Sequence, residues 1–122
     1  MTAFWGEFIG TMLLILLGEG VVANVVLDKT KGNNGGLISI TFGWAIAVFA
    51  GVFASVELGG SGHLNPAVSI AMAVLGNFEW ANVGLYIAAQ MGGAFTGAVV
   101  VWLAYHQHFN ETKDADSKMA VF

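Results

Sequence analysis

Ser61-Gly62-His63-Leu64-Asn65-Pro66-Ala67-Val68 sets a helix start in the middle of an apolar neighbourhood. Asn is a favoured N-cap and Pro is favoured at the first helical position, so Asn65-Pro66 launches a helix whose free N–H groups face back along the chain. From Pro66 to about Leu75 that helix rises by roughly 1.5 Å per residue to about 15 Å, against a hydrocarbon core of roughly 30 Å. A helix that begins at mid-membrane leaves irregular backbone at depth. Such backbone is tolerated only where protein buries it or where it lines a watery cavity, and this constrains the glycine-rich approach Gly59-Gly60-Ser61-Gly62.

Around this stretch lie three apolar runs long enough for the roughly 20 residues of a spanning helix. Helix 1 is expected over about 3–27, helix 2 over about 37–58 and helix 3 over about 80–108. The half-helix takes about 66–75, and a polar tail occupies 109–118. The whole chain, 1–122, reads as a single membrane domain. Hydrophobic residues make up 57% of it and charged residues 10%, a balance outside that of soluble domains. Helix 1 is expected to stay as a helix and not to be a secretory leader, because no basic residue precedes it and Glu7 interrupts it. The polar segment Asp28 to Gly36 reads as a water-exposed loop, and Trp102 and Tyr105 suit an interfacial belt.

Three spans and one re-entrant segment put the first loop and the tail on the same side. All four lysines, Lys29, Lys31, Lys113 and Lys118, fall there, interspersed with Asp28, Glu111, Asp114 and Asp116. The positive-inside rule votes for that side as cytoplasmic, and the acids dilute the vote. Small residues recur every fourth position at Gly6 and Gly10, and again at Ala89, Gly93 and Gly97, the pattern that lets membrane helices approach closely.

The chemistry-bearing residues are few. No cysteine is present, so there is no thiolate metal site or disulfide framework. No arginine occurs and the net charge is −4, which sets nucleic acid aside as a partner. Glu7 and Glu19 stand about 18 Å apart along one helix at roughly 1.5 Å per residue, too far for paired acid–base work. No nucleophile–base–orienter set is present, so an enzyme is not expected, and no cofactor or metal is implied. A carboxyl inside a membrane helix is functional or tightly paired by default, which singles out Glu7.

Gly6-Glu7-Phe8-Ile9-Gly10-Thr11, Gly18 and Gly20, Ser61 to Val68, and Gln90 with Gly93 together resemble the major intrinsic protein family, the aquaporins and aquaglyceroporins. The resemblance extends over nearly the whole chain and is nearest to glycerol-conducting bacterial members. It implies an all-α membrane protein, the first of two inverted repeats, with three transmembrane helices and one re-entrant half-helix starting at Asn65-Pro66. The second Asn-Pro-Ala segment, and the arginine and second aromatic group of the family's constriction, are not among these residues. The expectation is therefore a half-channel, a piece of a longer protein.

The resemblance also implies roles. Asn65, Pro66 and Ala67 form the pore motif, with the Asn65 amide and the positive end of its half-helix facing the passing solute. Carbonyls of Gly60, Ser61, Gly62, His63 and Leu64 make an acceptor ladder leading to it. Glu7, His63 and Gln90 support the loop, His63 structurally and not as a gate. For the selectivity filter, Trp44 and Phe42 are two positions apart and about 200° apart around helix 2, so only one can face the pore. Trp44 is preferred because it needs the smaller insertion before His63, and tryptophan at that place implies a glycerol-wide pore. Passive diffusion of glycerol, other small neutral solutes and water across a bacterial plasma membrane is the expected function, with lipid around it and a homotetramer as the full-length form. A water-selective channel is the alternative, and a stand-alone small membrane protein without a pore is another.

Overall fold

The computed structural model describes residues 2–122, and all secondary structure among them is helical. Helix α1 spans Thr2–Val26, α2 Leu37–Glu57, α3 Pro66–Val74, α4 Trp80–Glu111 and α5 Ala115–Met119. Helices α1, α2 and α4 are each long and apolar enough to cross a membrane, whereas nine-residue α3 reaches roughly 14 Å.

Helix α1 sits in the middle, and its small residues divide its surface into two seams. On one side Gly6 and Gly10 let it approach α2 and the re-entrant loop. A Cβ on Gly10 would sit 2.7 Å from the Gly51 carbonyl oxygen and from a Leu64 methyl, inside any normal contact. On the other side Gly93 and Gly97 of α4 lie against the α1 backbone at Phe8, Met12 and Leu16. The order of these contacts runs the same way along both helices, so α1 and α4 are parallel and α2 returns between them in sequence. Packing of this closeness supplies what hydrophobicity cannot between helices in lipid.

Helix α3 packs on α4 and is stopped by Gly76 at φ 76°, where the N–H of Asn77 reaches Met72 O and that of Gly76 reaches Ala73 O. The first loop, residues 27–36, closes on itself: Thr30 and Asn33 side chains donate to the Leu27 carbonyl, and the Asn34 N–H to Val25.

The polar tail expected over 109–118 is largely helical. Helix α4 runs on to Glu111, and α5 then forms on an Asp114 cap that accepts from the Ser117 N–H and hydroxyl. Those bonds, the hydroxyl first, hold the Asp114 carboxyl below its ordinary range, so the cap stays charged at neutral pH. Val121 is fully buried with Leu27, Val22, Ala23 and Val101, and Phe122 stacks on Phe109. Polar ties complete the docking: Asp28 N–H to Thr112, His108 Nδ1 to the Asp28 carbonyl, and an exposed Lys29–Glu111 ion pair. The polar pattern of 109–118 does not disclose this docking, because the apolar anchors Val121 and Phe122 lie beyond it.

Candidate functional site

Glu7 is buried from solvent and gathers the re-entrant loop around itself. Its Oε1 accepts from Ser55 Oγ at 3.0 Å, Ser61 N at 3.2 Å and His63 N at 3.0 Å. Oε2 accepts from Leu64 N at 2.8 Å and Gln90 Nε2 at 2.8 Å. All five partners are donors, so the group acts as an acceptor-only carboxylate. The two remaining N–H groups of the segment go to Ser55: Gly60 N to its carbonyl at 2.8 Å, and Gly62 N to its hydroxyl at 3.2 Å.

Every N–H from Gly60 to Leu64 is thus turned toward α1 and α2. Among the described residues, none of the five carbonyl oxygens of the same segment accepts a hydrogen bond. Unpaired carbonyls at membrane depth demand another acceptor-satisfying neighbour, such as water or a hydroxylic solute. The chain reaches this one-sided arrangement through left-handed conformations at Gly59, Gly62 and Leu64, with φ 85°, 68° and 53°. For Leu64 that conformation costs about 1–2 kcal/mol, offset by a side chain buried between Gly10 and Gly51.

Asn65 follows as the α3 cap. Its Oδ1 accepts from Ala67 N at 2.8 Å, and Pro66 occupies the first helical position. Because Oδ1 must face the backbone N–H, the side-chain NH₂ points away, and among the described residues it donates to nothing. Five open acceptors therefore end at one open donor beside a helix N-terminus.

A family model described as Major intrinsic protein matches residues 1–121. The chain belongs to the major intrinsic protein family. It is 52% identical to a probable glycerol uptake facilitator protein of Thermotoga maritima, an alignment taking in 100% of this chain and 52% of that one. It is 53% identical to glycerol uptake facilitator protein 3 of Lactiplantibacillus plantarum over 96% of this chain and 48% of the relative. The X-ray structure of the aquaglyceroporin from Plasmodium falciparum superposes with a TM-score of 0.82 at 38% identity, over 90% of this chain and 44% of that chain. The chain spans about half the length of the curated relatives it matches.

In this major intrinsic protein the structure brings Glu7, His63 and Gln90 together, and separates them from Trp44. The Trp44 ring lies half-buried against Gly18 and the Val22–Ala23 end of α1. Phe42, on another face of α2, is 69% exposed. Glu19 borders an apolar groove of about 300 Å³ formed by Ile15, Met91, Ala94, Phe95, Ala98 and Phe122. His106 meets Asn110 and Trp102 near the end of α4.

Four site residues escape a sequence reading. Ser55 and Ser69 are buried polar residues in apolar helices; Phe78 and Tyr86 pack on each other and against the His63 ring, with centroids 4.8 Å and 5.3 Å from it. Tyr86 also shares a 2.9 Å hydrogen bond with the Ser61 hydroxyl. The Ser55 signal is its place in the last turn of α2. For Ser69 it is the step of four from Asn65, which puts both on one face of α3.

Proposed function

We propose that these residues form the first of two repeats of a channel for glycerol and other small neutral solutes, with water. The observation that carries the reading is the polarity of the re-entrant loop: carbonyls of Gly60, Ser61, Gly62, His63 and Leu64 left open, ending at the free amide of Asn65. A polyol or water accepts and donates at each hydroxyl, so such a strip can replace its hydration step by step, while the donor and the helix end oppose a cation at the same point. Asn65, Pro66 and Ala67 form the pore motif, and Trp44 is the filter residue, its ring an apolar wall for a carbon backbone. Glu7, His63 and Gln90 support the loop. Conduction follows the solute gradient and involves no covalent step. The setting is the plasma membrane of a bacterium, in contact with lipid, and the full-length assembly is a homotetramer. Relatives named glycerol uptake facilitators, at about half identity, support the solute class.

The test is light-scattering swelling of proteoliposomes, with the chain alone and with the chain joined to the second half of the Thermotoga maritima relative. Glycerol and water flux from the joined form is the expected result. Water flux with glycerol excluded would overturn the solute assignment, and no flux from a folded joined form would overturn the channel. The greater exposure of Phe42 favours a second reading, in which Phe42 is the filter and the pore is water-selective. Trp44→Ala and Phe42→Ala separate the two: only the filter residue changes the glycerol-to-water ratio, by several-fold.

A further inference from the structure

Four polar side chains run in one chain of hydrogen bonds from Glu7 to His63. Gln90 Nε2 donates to Glu7 Oε2 at 2.8 Å and to Ser69 Oγ at 3.0 Å, and Ser69 Oγ lies 3.0 Å from His63 Nδ1. Glu7, Ser69 and Gln90 are all buried, and Gln90 is only 1% exposed.

The direction of every bond follows from the Glu7 end. A carboxylate that already accepts four other donors can only accept, so Gln90 must turn its NH₂ toward it. The flipped amide would set its oxygen against the carboxylate. This also accounts for Gln90 Oε1, which is buried without a partner: the side chain keeps its donors engaged at the expense of its acceptor. An NH₂ group carries two protons, and both are committed, one to Glu7 and one to Ser69. Ser69 therefore receives from Gln90. Its own proton has one remaining acceptor among the described residues, His63 Nδ1. A histidine nitrogen that accepts is bare, which puts the ring proton on Nε2.

We propose that Ser69 is a positioning residue that holds His63 as its Nε2–H tautomer, through the fixed chain Glu7–Gln90–Ser69–His63. The consequence for the loop is a ring with one defined orientation against the Phe78–Tyr86 pair, its Nδ1 edge tied to α3 while its own backbone N–H is tied to Glu7 on α1. His63 thereby pins the open carbonyl strip from two helices at once. A second consequence is a break in proton continuity. The amide nitrogen of Gln90 has no lone pair to receive a proton, so nothing arriving at His63 can pass along this chain to Glu7.

The inference rests on the channel reading only for its flux readout; the tautomer stands or falls by itself. The experiment is ¹⁵N NMR of the histidine-labelled chain in lipid nanodiscs, with His106→Gln and His108→Gln to leave one histidine. A protonated Nε2 and a bare, hydrogen-bonded Nδ1 is the expected spectrum. Ser69→Ala should lose the single tautomer and give a mixture, and Ser69→Thr, which keeps the hydroxyl, should restore it. In the joined channel Ser69→Ala should lower solute flux several-fold and Ser69→Thr should recover it. A wild-type spectrum with the proton on Nδ1 overturns the proposal, whether or not Ser69→Ala folds. So does a folded Ser69→Ala chain whose spectrum is unchanged. A correct tautomer with no glycerol flux leaves the proposal standing and sinks the channel reading instead.

Discussion

Two glycine-rich loops in this chain solve the backbone hydrogen-bonding problem with opposite polarity. In loop 27–36 the side chains of Thr30 and Asn33 donate, closing the carbonyls of Asn24 and Leu27 where α1 ends. In the re-entrant loop the side chains of Glu7 and Ser55 accept, closing the N–H groups of Ser61 to Leu64 and leaving the carbonyls of Gly60 to Leu64 open. Water can complete whatever the first loop leaves unmet. At membrane depth the open carbonyls of the second loop need donors from outside the segment, and that asymmetry separates the two loops.

Glu7→Gln should break the comparison most completely. The substitution replaces one acceptor oxygen by a donor that faces N–H groups, in a site with no solvent access, and should cost about 3 kcal/mol or more. Thermal unfolding in detergent reads the loss, and an unchanged melting curve would show that the loop does not depend on this carboxyl. Leu64→Gly comes next. It relieves the left-handed backbone but empties the space between Gly10 and Gly51, for a net loss of about 1–3 kcal/mol. Ser55→Ala removes one donor to Glu7 and the acceptor for Gly62, and is expected to cost about 1–2 kcal/mol. Asn34→Gly is the control in the other loop. Asn34 also has a positive φ, 60°, yet buries no comparable apolar side chain, so this change should be neutral or stabilising by less than about 1 kcal/mol. If Leu64→Gly proved as harmless as Asn34→Gly, the two loops would be equivalent and the packing account of Leu64 would fail.

The spans and the half-helix are legible in the sequence because each rests on a local signal: apolar runs of membrane length, a cap followed by proline, and glycines between polar segments. Glu7 is legible as a carboxyl in an apolar helix, and Gln90 through the family resemblance. Ser55 and Ser69 are not, since a small hydroxyl in a membrane helix is as often bonded to its own backbone as to anything distant. Their function depends on which helix they meet, and that is a tertiary fact. The buried Val121 is hidden for a related reason. It lies beyond a charged stretch, and only the closure of α5 onto the ends of α1 and α4 brings it to Leu27.

The seat of Trp44 carries one more implication. Its ring rests on Gly18, where any Cβ would collide with it, so the indole is backed by bare α1 backbone. If Trp44 sets the bore, then the calibre is adjusted from behind: a single methyl added at position 18 acts as a shim, pushing the ring forward and narrowing the passage without altering a residue that any solute touches.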